Sequence, residues 1–222
     1  MLCWGNKMDN YLYDMIFKRK SFHLFRNISR EHITLEELKD IEKEFNRLKR
    51  LASDINVKIK IVKDETSCMK GQEYCILFYS EKKDNYLQNI GYLGEQLDLY
   101  LVSKNIGILY FGIGKTDEKQ YDGLDFVIMK VIAKVDKEGK FRKDIFKSKR
   151  KNIEEIWTGD HYLDIVNIAR FAPSSCNTQP WVVDSSENEL IVYRYKKIRK
   201  KRDYAYTKII LSLKELCIQK II

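Results

Sequence analysis

The sequence predicts an α+β fold in which a central sheet is flanked by helices. Two observations carry this prediction: apolar residues recur at helical spacing in several segments, and other segments show strand patterns bounded by turn residues. The chain has 222 residues, of which 44% are apolar and 12% aromatic, so it can bury a sizeable core. No apolar run approaches the roughly 20 residues of a membrane span, and no secretory signal opens the chain, so we expect no membrane association.

Helical patterns appear three times in the first half of the chain. The first predicted helix covers residues 10–18. A second helix should start at a capping box, in which Thr34 and Glu37 satisfy each other's free amides, and should run to Ala52. The longest helix is predicted over residues 85–105, with leucines facing the core at three-to-four spacing.

The strand patterns of the first half differ in expected burial. Residues 57–62 alternate between the two faces, which predicts a half-buried strand, whereas residues 74–79 form the continuous apolar run of a central strand. Residues 108–111 and 126–135 predict two more strands. Gly107 is placed to end the preceding helix in a left-handed cap.

The second part of the chain restarts near Phe146. Asp160 is expected to cap a helix that Pro173 stops, because proline cannot continue the helical hydrogen-bond ladder. Residues 181–183 and 190–195 predict a hairpin. A helical pattern closes the chain, with one apolar face formed by Ile210, Leu213, Leu216 and Cys217.

The cysteines and histidines indicate neither a disulfide framework nor a metal site. The five cysteines are odd in number, lie far apart and include no C-x-x-C motif, which predicts a reducing, cytoplasmic location. The three histidines lack metal-ligand spacing, so no metal is expected. These residues are Cys3, Cys68, Cys75, Cys176 and Cys217, with His23, His32 and His161.

The net charge of +9 indicates attraction to anions in general. The densest basic segment is residues 196–202, where six of seven side chains are basic. One interpretation is a binder of nucleic acid or of an acidic partner. The other is a solvated loop, and we favour it because no aromatic platform or nucleic-acid motif accompanies the run.

Both prolines of the chain lie in one nine-residue segment, P-S-S-C-N-T-Q-P-W, at 173–181. Small hydroxyl and amide side chains between two stiff prolines suit a fixed loop that presents polar groups to a ligand. The competing interpretation is a simple helix stop and turn, with Trp181 in the core.

Residues 172–181 resemble the flavin-contacting loop of the nitroreductase superfamily, A-P-S-x-x-N-x-Q-P-W, at every fixed position. A match of this length between a helix and a strand is specific. Cys176 falls at a variable position and is interpreted as a bystander. The resemblance implies that Gln179 braces the loop rather than touching the flavin. It assigns the cofactor-binding loop to Pro173, Ser174, Ser175, Asn177 and Gln179, with Gln179 in that bracing role.

In dimeric nitroreductases one subunit supplies this loop and the other an R-x-S-x-R-like segment. Arg19, Lys20 and Ser21 resemble that segment, with His23 in place of its second basic residue. The chain therefore resembles a single-chain nitroreductase with two fused, divergent, pseudo-symmetric halves.

The predicted halves span residues 8–140 and 141–222, and related chains are expected to continue further after the second. A weak sequence similarity between residues 16–21 and 146–152 supports the interpretation as two related halves. Two fused halves in one chain imply a monomer that mimics a dimer. A homodimer is the alternative.

The resemblance implies an FMN-dependent oxidoreductase. Arg19 could bind the FMN phosphate with its planar guanidinium, and Lys20 could bind it as a point charge. Ser21 could donate a hydrogen bond from its hydroxyl. The flavin would carry the chemistry, so no catalytic acid or base is expected. Gly112 and Gly114 do not form a complete Rossmann fingerprint. The resemblance implies that none is needed, because NAD(P)H would stack on the flavin.

The expected acceptors are small nitroaromatic or quinone-like molecules. Two alternatives stay open: a non-catalytic, degenerate flavin-fold protein, to which His23 points, and a basic binder that uses residues 196–202.

Overall fold

A computed structural model describes residues 7–63, 65–136, 140–197 and 204–212 of the chain. It contains helices and strands in mixed order, which confirms the predicted α+β class. The chain divides into two compact units, Met1–Asp144 (unit 1) and Ile145–Ile222 (unit 2), and each is described by itself. That the units are pseudo-symmetric halves stays a prediction.

Unit 1 is built on an antiparallel sheet with a helical layer. Its strands pair in the order β1-β2-β5-β3, and β4 pairs with β5. The strands are β1 (Val57–Val62), β2 (Tyr74–Ser80), β3 (Ile106–Phe111), β4 (Gln120–Tyr121) and β5 (Leu124–Lys134). The helices are α1 (Lys7–Lys18), α2 (Leu35–Arg47) and α3 (Tyr86–Ser103).

The helix starts and stops follow local chemistry. The capping box of α2 is confirmed: Thr34 accepts from the Glu37 amide, and the Glu37 carboxylate accepts from the Thr34 amide. This helix ends at Arg47, five residues before Ala52. The predicted left-handed cap at Gly107 is wrong, because Asn105 takes the left-handed conformation (φ 56°).

Gly107 instead allows close packing inside strand β3. A Cβ atom there would lie 3.0 Å from the ring of Phe22 and 3.0 Å from Val135. The core of unit 1 lies between the sheet and the helices α2 and α3. In it, the rings of Phe45 and Phe78 meet edge to face at 5.7 Å.

Unit 2 holds a smaller sheet with the strand order β6-β7-β8-β9, in which only the β6–β7 pair is parallel. A small apolar cluster of Trp157, Val166, Val183 and Leu190 forms its core. The elements are β6 (Trp157–Thr158), α4 (Leu163–Ala169), β7 (Trp181–Ser185), β8 (Glu189–Lys197) and β9 (Tyr204–Ser212).

Two predictions for unit 2 are wrong. Tyr162, in a left-handed conformation, precedes α4 without a side-chain cap, so Asp160 does not cap the helix. Ile210 lies in strand β9 opposite Ile191 rather than in a helix, because pairing with β8 satisfies backbone groups that a short helix would leave free. The rest of the predicted closing helix lies outside the described residues.

None of the helices in the described part of the chain is long and apolar enough to cross a bilayer. Among the described residues, Cys68, Cys75 and Cys176 take part in no disulfide bond. Most of the basic run at 196–202 lies outside the described residues.

Candidate functional site

The loop that links α4 to β7 in unit 2 has an unusual backbone. Cys176, Asn177 and Gln179 all have positive φ angles, of 51°, 53° and 46°. A left-handed conformation costs a non-glycine residue about 1–2 kcal/mol, although asparagine tolerates it better. The loop therefore needs contacts that hold it in this shape.

Part of that support comes from within the loop. The Gln179 amide donates to the Ser174 hydroxyl oxygen at 3.0 Å, and the Asn177 amide donates to the Ser174 carbonyl at 3.0 Å. The Thr178 hydroxyl donates to the Ser175 carbonyl at 2.9 Å. These bonds close the loop into a short 3-10 turn over Ser175–Asn177.

The remaining support comes from the basic segment at residues 149–151. The Lys151 amide donates to Oε1 of Gln179 at 2.9 Å, and the Lys151 Nζ donates to the Gln179 carbonyl at 2.9 Å. Gln179 is only 4% exposed, and its Nε2 donates to the Asn177 carbonyl at 3.3 Å. Its side chain is thus a buried brace of the loop.

The carboxamide of Asn177 is also engaged by this basic segment. Its Nδ2 donates to the Lys149 carbonyl at 3.0 Å, and its Oδ1 accepts a hydrogen bond from the Arg150 guanidinium. Arg150 also donates to the Phe171 carbonyl at 3.0 Å. Direct contact between the Asn177 side chain and a flavin stays a prediction.

The solvent-facing side of the loop is formed by Ser175, Cys176, Asn177 and Thr178, which are all exposed. Pro173 and Ser174 are half-buried. Trp181 is half-buried too and lies outside the apolar cluster of unit 2, so the simple-turn interpretation with Trp181 as core does not describe this loop.

In unit 1, residues 19–22 run along the edge of β3. Helix α1 ends at Lys18, and the Arg19 amide still donates to the Met15 carbonyl at 2.8 Å. Ser21 forms a parallel bridge with Ile108, and the Phe22 amide donates to the Ile108 carbonyl at 2.9 Å. The backbone of this segment is therefore held by the sheet.

The Arg19 side chain points into the interior of unit 1, where it is 7% exposed. Its Nη2 donates to Oδ2 of Asp98 at 2.9 Å, and its Nη1 donates to the Ser21 hydroxyl oxygen at 3.2 Å. Burial alone would lower the pKa of Arg19, but the carboxylates of Glu95 and Asp98 outweigh it and raise that pKa. Arg19 therefore stays charged, and its contact with a phosphate stays a prediction.

Asp98 is shared by a second buried cation. Lys130 is fully buried and donates from Nζ to Oδ1 of Asp98 and to the Gly94 carbonyl. Its ammonium lies 3.9 Å from the centre of the Tyr110 ring. Burial lowers the pKa of Lys130 and raises that of Glu95. The buried ion cluster comprises Arg19, Glu95, Asp98 and Lys130.

Lys20, next to this cluster, lies among other cations. Burial and the charges of Lys140 and Arg142 lower the pKa of Lys20. The rings of Phe22 and Phe141 meet at 5.5 Å, and the Arg142 amide donates to the Lys18 carbonyl at 2.9 Å. These contacts bring residues 140–142 beside the 19–22 segment. The basic group comprises Lys20, Lys140 and Arg142.

Sequence reasoning missed Lys140, Arg142 and the bracing segment 149–151. Lys140 and Arg142 flank the apolar Phe141, and this pattern could have indicated a buried ring between two basic side chains. The sequence similarity between residues 16–21 and 146–152 includes the bracing segment 149–151, but the contacts of that segment with the loop could not be predicted. In the described part of the chain, no group of three or more acidic, cysteine or histidine side chains could hold a metal ion.

Comparison with known proteins shows the family of the chain. Residues 11–210 match a family model described as "Putative TM nitroreductase". A "putative nitroreductase" from Thermotoga maritima shares the fold, with a TM-score of 0.58 and 20% identity over 86% of this chain and 79% of that one.

Two solved structures with FMN are also similar, with lower scores. The nitroreductase with bound FMN from Desulfitobacterium hafniense has a TM-score of 0.47 and 14% identity, over 67% of this chain and 100% of that one. A protein from Desulfovibrio desulfuricans, described as a "putative nitroreductase in complex with fmn", has a TM-score of 0.47 and 14% identity over 68% and 95%. No curated protein matches the chain.

Proposed function

Since this chain belongs to the nitroreductase family, we propose that it is an FMN-dependent oxidoreductase that uses NAD(P)H to reduce small nitroaromatic or quinone-like acceptors. The observation that carries the proposal is the loop at 172–181, which matches the flavin loop at every fixed position and is braced in a left-handed shape. FMN, when bound, supplies the hydride and electron transfer. The task of the protein is then to bind and orient it.

The donor set of unit 1 fits the phosphate end of FMN. Burial and repulsion from Lys140 and Arg142 lower the Lys20 pKa, and a phosphate dianion beside these three residues would relieve the repulsion. Ser21 adds a hydroxyl, and because its oxygen already accepts from Arg19, its own O–H is directed elsewhere and can donate to a phosphate oxygen. Arg19 supports this group from the interior.

The loop of unit 2 fits the flavin ring, whose edge carries both donors and acceptors. Ser175 presents an exposed hydroxyl, and the bracing of Gln179 and Asn177 holds the loop in shape before a ligand arrives. A loop that is already ordered loses less entropy on binding. Each of the two contributions rests on contacts within its own unit.

The first test is the visible absorbance spectrum of the purified chain, before and after addition of FMN and removal of the excess. We expect a flavin band with one FMN per chain. Lys140→Ala combined with Arg142→Ala should weaken FMN binding roughly tenfold or more, because each removes a charge-assisted contact. Lys39→Ala combined with Arg47→Ala removes the same charge from exposed positions of α2 and should leave binding unchanged.

Turnover is tested by adding NADH or NADPH to the FMN-loaded chain without oxygen. Bleaching of the flavin band, followed by its return when a quinone or nitroaromatic is added, is the expected result. A chain that takes up no FMN would overturn the proposal. A chain that binds FMN but is not reduced by either nucleotide would support the non-catalytic alternative.

A further inference from the structure

The buried ion cluster in unit 1 has a geometry that stability alone does not explain. Four charged side chains, Arg19, Glu95, Asp98 and Lys130, lie together, and Asp98 and Lys130 are fully buried. Buried ion pairs commonly add little stability over apolar side chains of similar volume, since each charge loses its hydration. What such a cluster provides is a defined direction for each polar atom.

Asp98 divides its two oxygens between the two cations. Oδ1 accepts from Lys130 and Oδ2 accepts from Nη2 of Arg19 at 2.9 Å. The surroundings of this contact are crowded, since a Cβ atom on the neighbouring Gly94 would lie 2.7 Å from the Tyr110 hydroxyl and 3.1 Å from the Lys130 Nζ. Asp98 therefore holds the Arg19 guanidinium at Nη2, while the Glu95 carboxylate lies 3.7 Å from its Nε.

The Arg19 guanidinium passes this orientation on to Ser21. It is a rigid plane, so holding Nη2 on Asp98 also directs Nη1, which donates to the Ser21 hydroxyl oxygen at 3.2 Å. The backbone of Ser21 is held independently by its bridge to Ile108. With its backbone and its oxygen both placed, the direction in which the Ser21 O–H can donate is limited.

We propose that Asp98 is a positioning residue for phosphate recognition, acting through Arg19 to orient the Ser21 hydroxyl toward the phosphate of the cofactor. This inference rests on the proposed FMN function and deepens it. Asp98 is fully buried, so it would act on the phosphate through Arg19 and Ser21 rather than by contact. Its loss should weaken binding of FMN while sparing riboflavin, the same flavin without the phosphate.

The test compares the affinities of the full chain for FMN and for riboflavin, measured by quenching of flavin fluorescence. The unaltered chain should prefer FMN. Asp98→Asn, which keeps the shape but removes the charge, should reduce that preference roughly tenfold. Glu118→Gln breaks the Lys60–Glu118 ion pair (2.7 Å) elsewhere in unit 1 and should leave the preference unchanged.

A second variant keeps the test decisive if Asp98→Asn does not fold. Arg19→Met removes the connection to Ser21 but leaves Asp98 neutralised by Lys130, and it should reduce the FMN preference by a similar factor. If both single variants fold, Asp98→Asn should have no further effect in the Arg19→Met background, since Asp98 acts through Arg19.

An unchanged FMN preference in either variant would overturn the inference and leave the proposed function standing. An equal loss of FMN and riboflavin binding would also overturn it, because that is the result of a purely structural role. If the unaltered chain binds no FMN, the proposed function fails and this inference falls with it.

Discussion

The segment at residues 19–22 in unit 1 and the loop at 173–180 in unit 2 are both ligand-facing candidates, but they are held in different ways. The first is tied to fully buried charges through Arg19 and Asp98. The second is held by hydrogen bonds within the loop and by hydrogen bonds to the basic segment 149–151. Charges in a dry interior resist rearrangement strongly, whereas bonds near the surface can exchange with water.

The largest loss of stability is expected from substitution of Asp98. Asp98→Ala would leave the Arg19 and Lys130 cations buried with less counter-charge, and we expect a loss of about 3–5 kcal/mol in the free energy of unfolding. Urea denaturation followed by circular dichroism measures it.

The matched control is Lys58→Ala, which breaks the exposed Lys58–Asp122 ion pair of the same unit. Because water screens that pair, we expect a change of about 0–1 kcal/mol. Equal losses for both variants would show that the interior charges hold unit 1 no more firmly than surface charges do.

Gln179→Ala tests the hydrogen-bonded loop. The change removes the acceptor of the Lys151 amide in a half-buried hydrogen bond, so we expect about 1–3 kcal/mol lower stability and weaker FMN binding. Gln120→Ala removes an exposed amide that donates to Asp125 at 3.0 Å and serves as the control for stability. A Gln179 variant that unfolds and binds FMN as the unaltered chain does would rule out the brace.

The basic group predicts a pH dependence of FMN binding. The pKa of Lys20 lies below its ordinary value in the free chain, and a bound phosphate should raise it, so binding takes up a proton above that lowered pKa. Affinity should therefore fall as pH rises through the alkaline range below the ordinary lysine pKa of about 10.4.

Titrations with FMN at constant ionic strength check this expectation. Lys20→Arg stays charged throughout that range and should flatten the decline. An equally steep decline in that variant would assign the proton to another group.

The smallest expected effect concerns the strained backbone of the loop. Cys176→Gly removes the penalty of a left-handed cysteine (φ 51°) but adds freedom to the unfolded chain, so we expect a gain of roughly 0–1 kcal/mol. Cys176→Ala keeps the penalty and should change little. Thermal unfolding of the two variants side by side measures the difference, and a glycine variant less stable than the alanine variant would contradict it.

Short-range patterns were enough for much of the fold and for one part of the candidate site. The capping box at Thr34 and Glu37, the strand patterns and the long helix depend on neighbours a few residues apart, and the sequence shows those directly. The loop at 172–181 was recognisable because its ten consecutive residues resemble a family motif, and part of its support also lies within the loop.

Long-range contacts decided the rest. Whether Arg19 faced solvent or Asp98 depended on a residue 79 positions away, and whether Lys140 lay beside Lys20 depended on the packing of Phe141 against Phe22. The closing segment became strand β9 because β8 offered backbone partners, although its apolar spacing also suited a helix. Local periodicity specifies elements, but the burial of a charge and the pairing of a strand are settled only where distant segments meet.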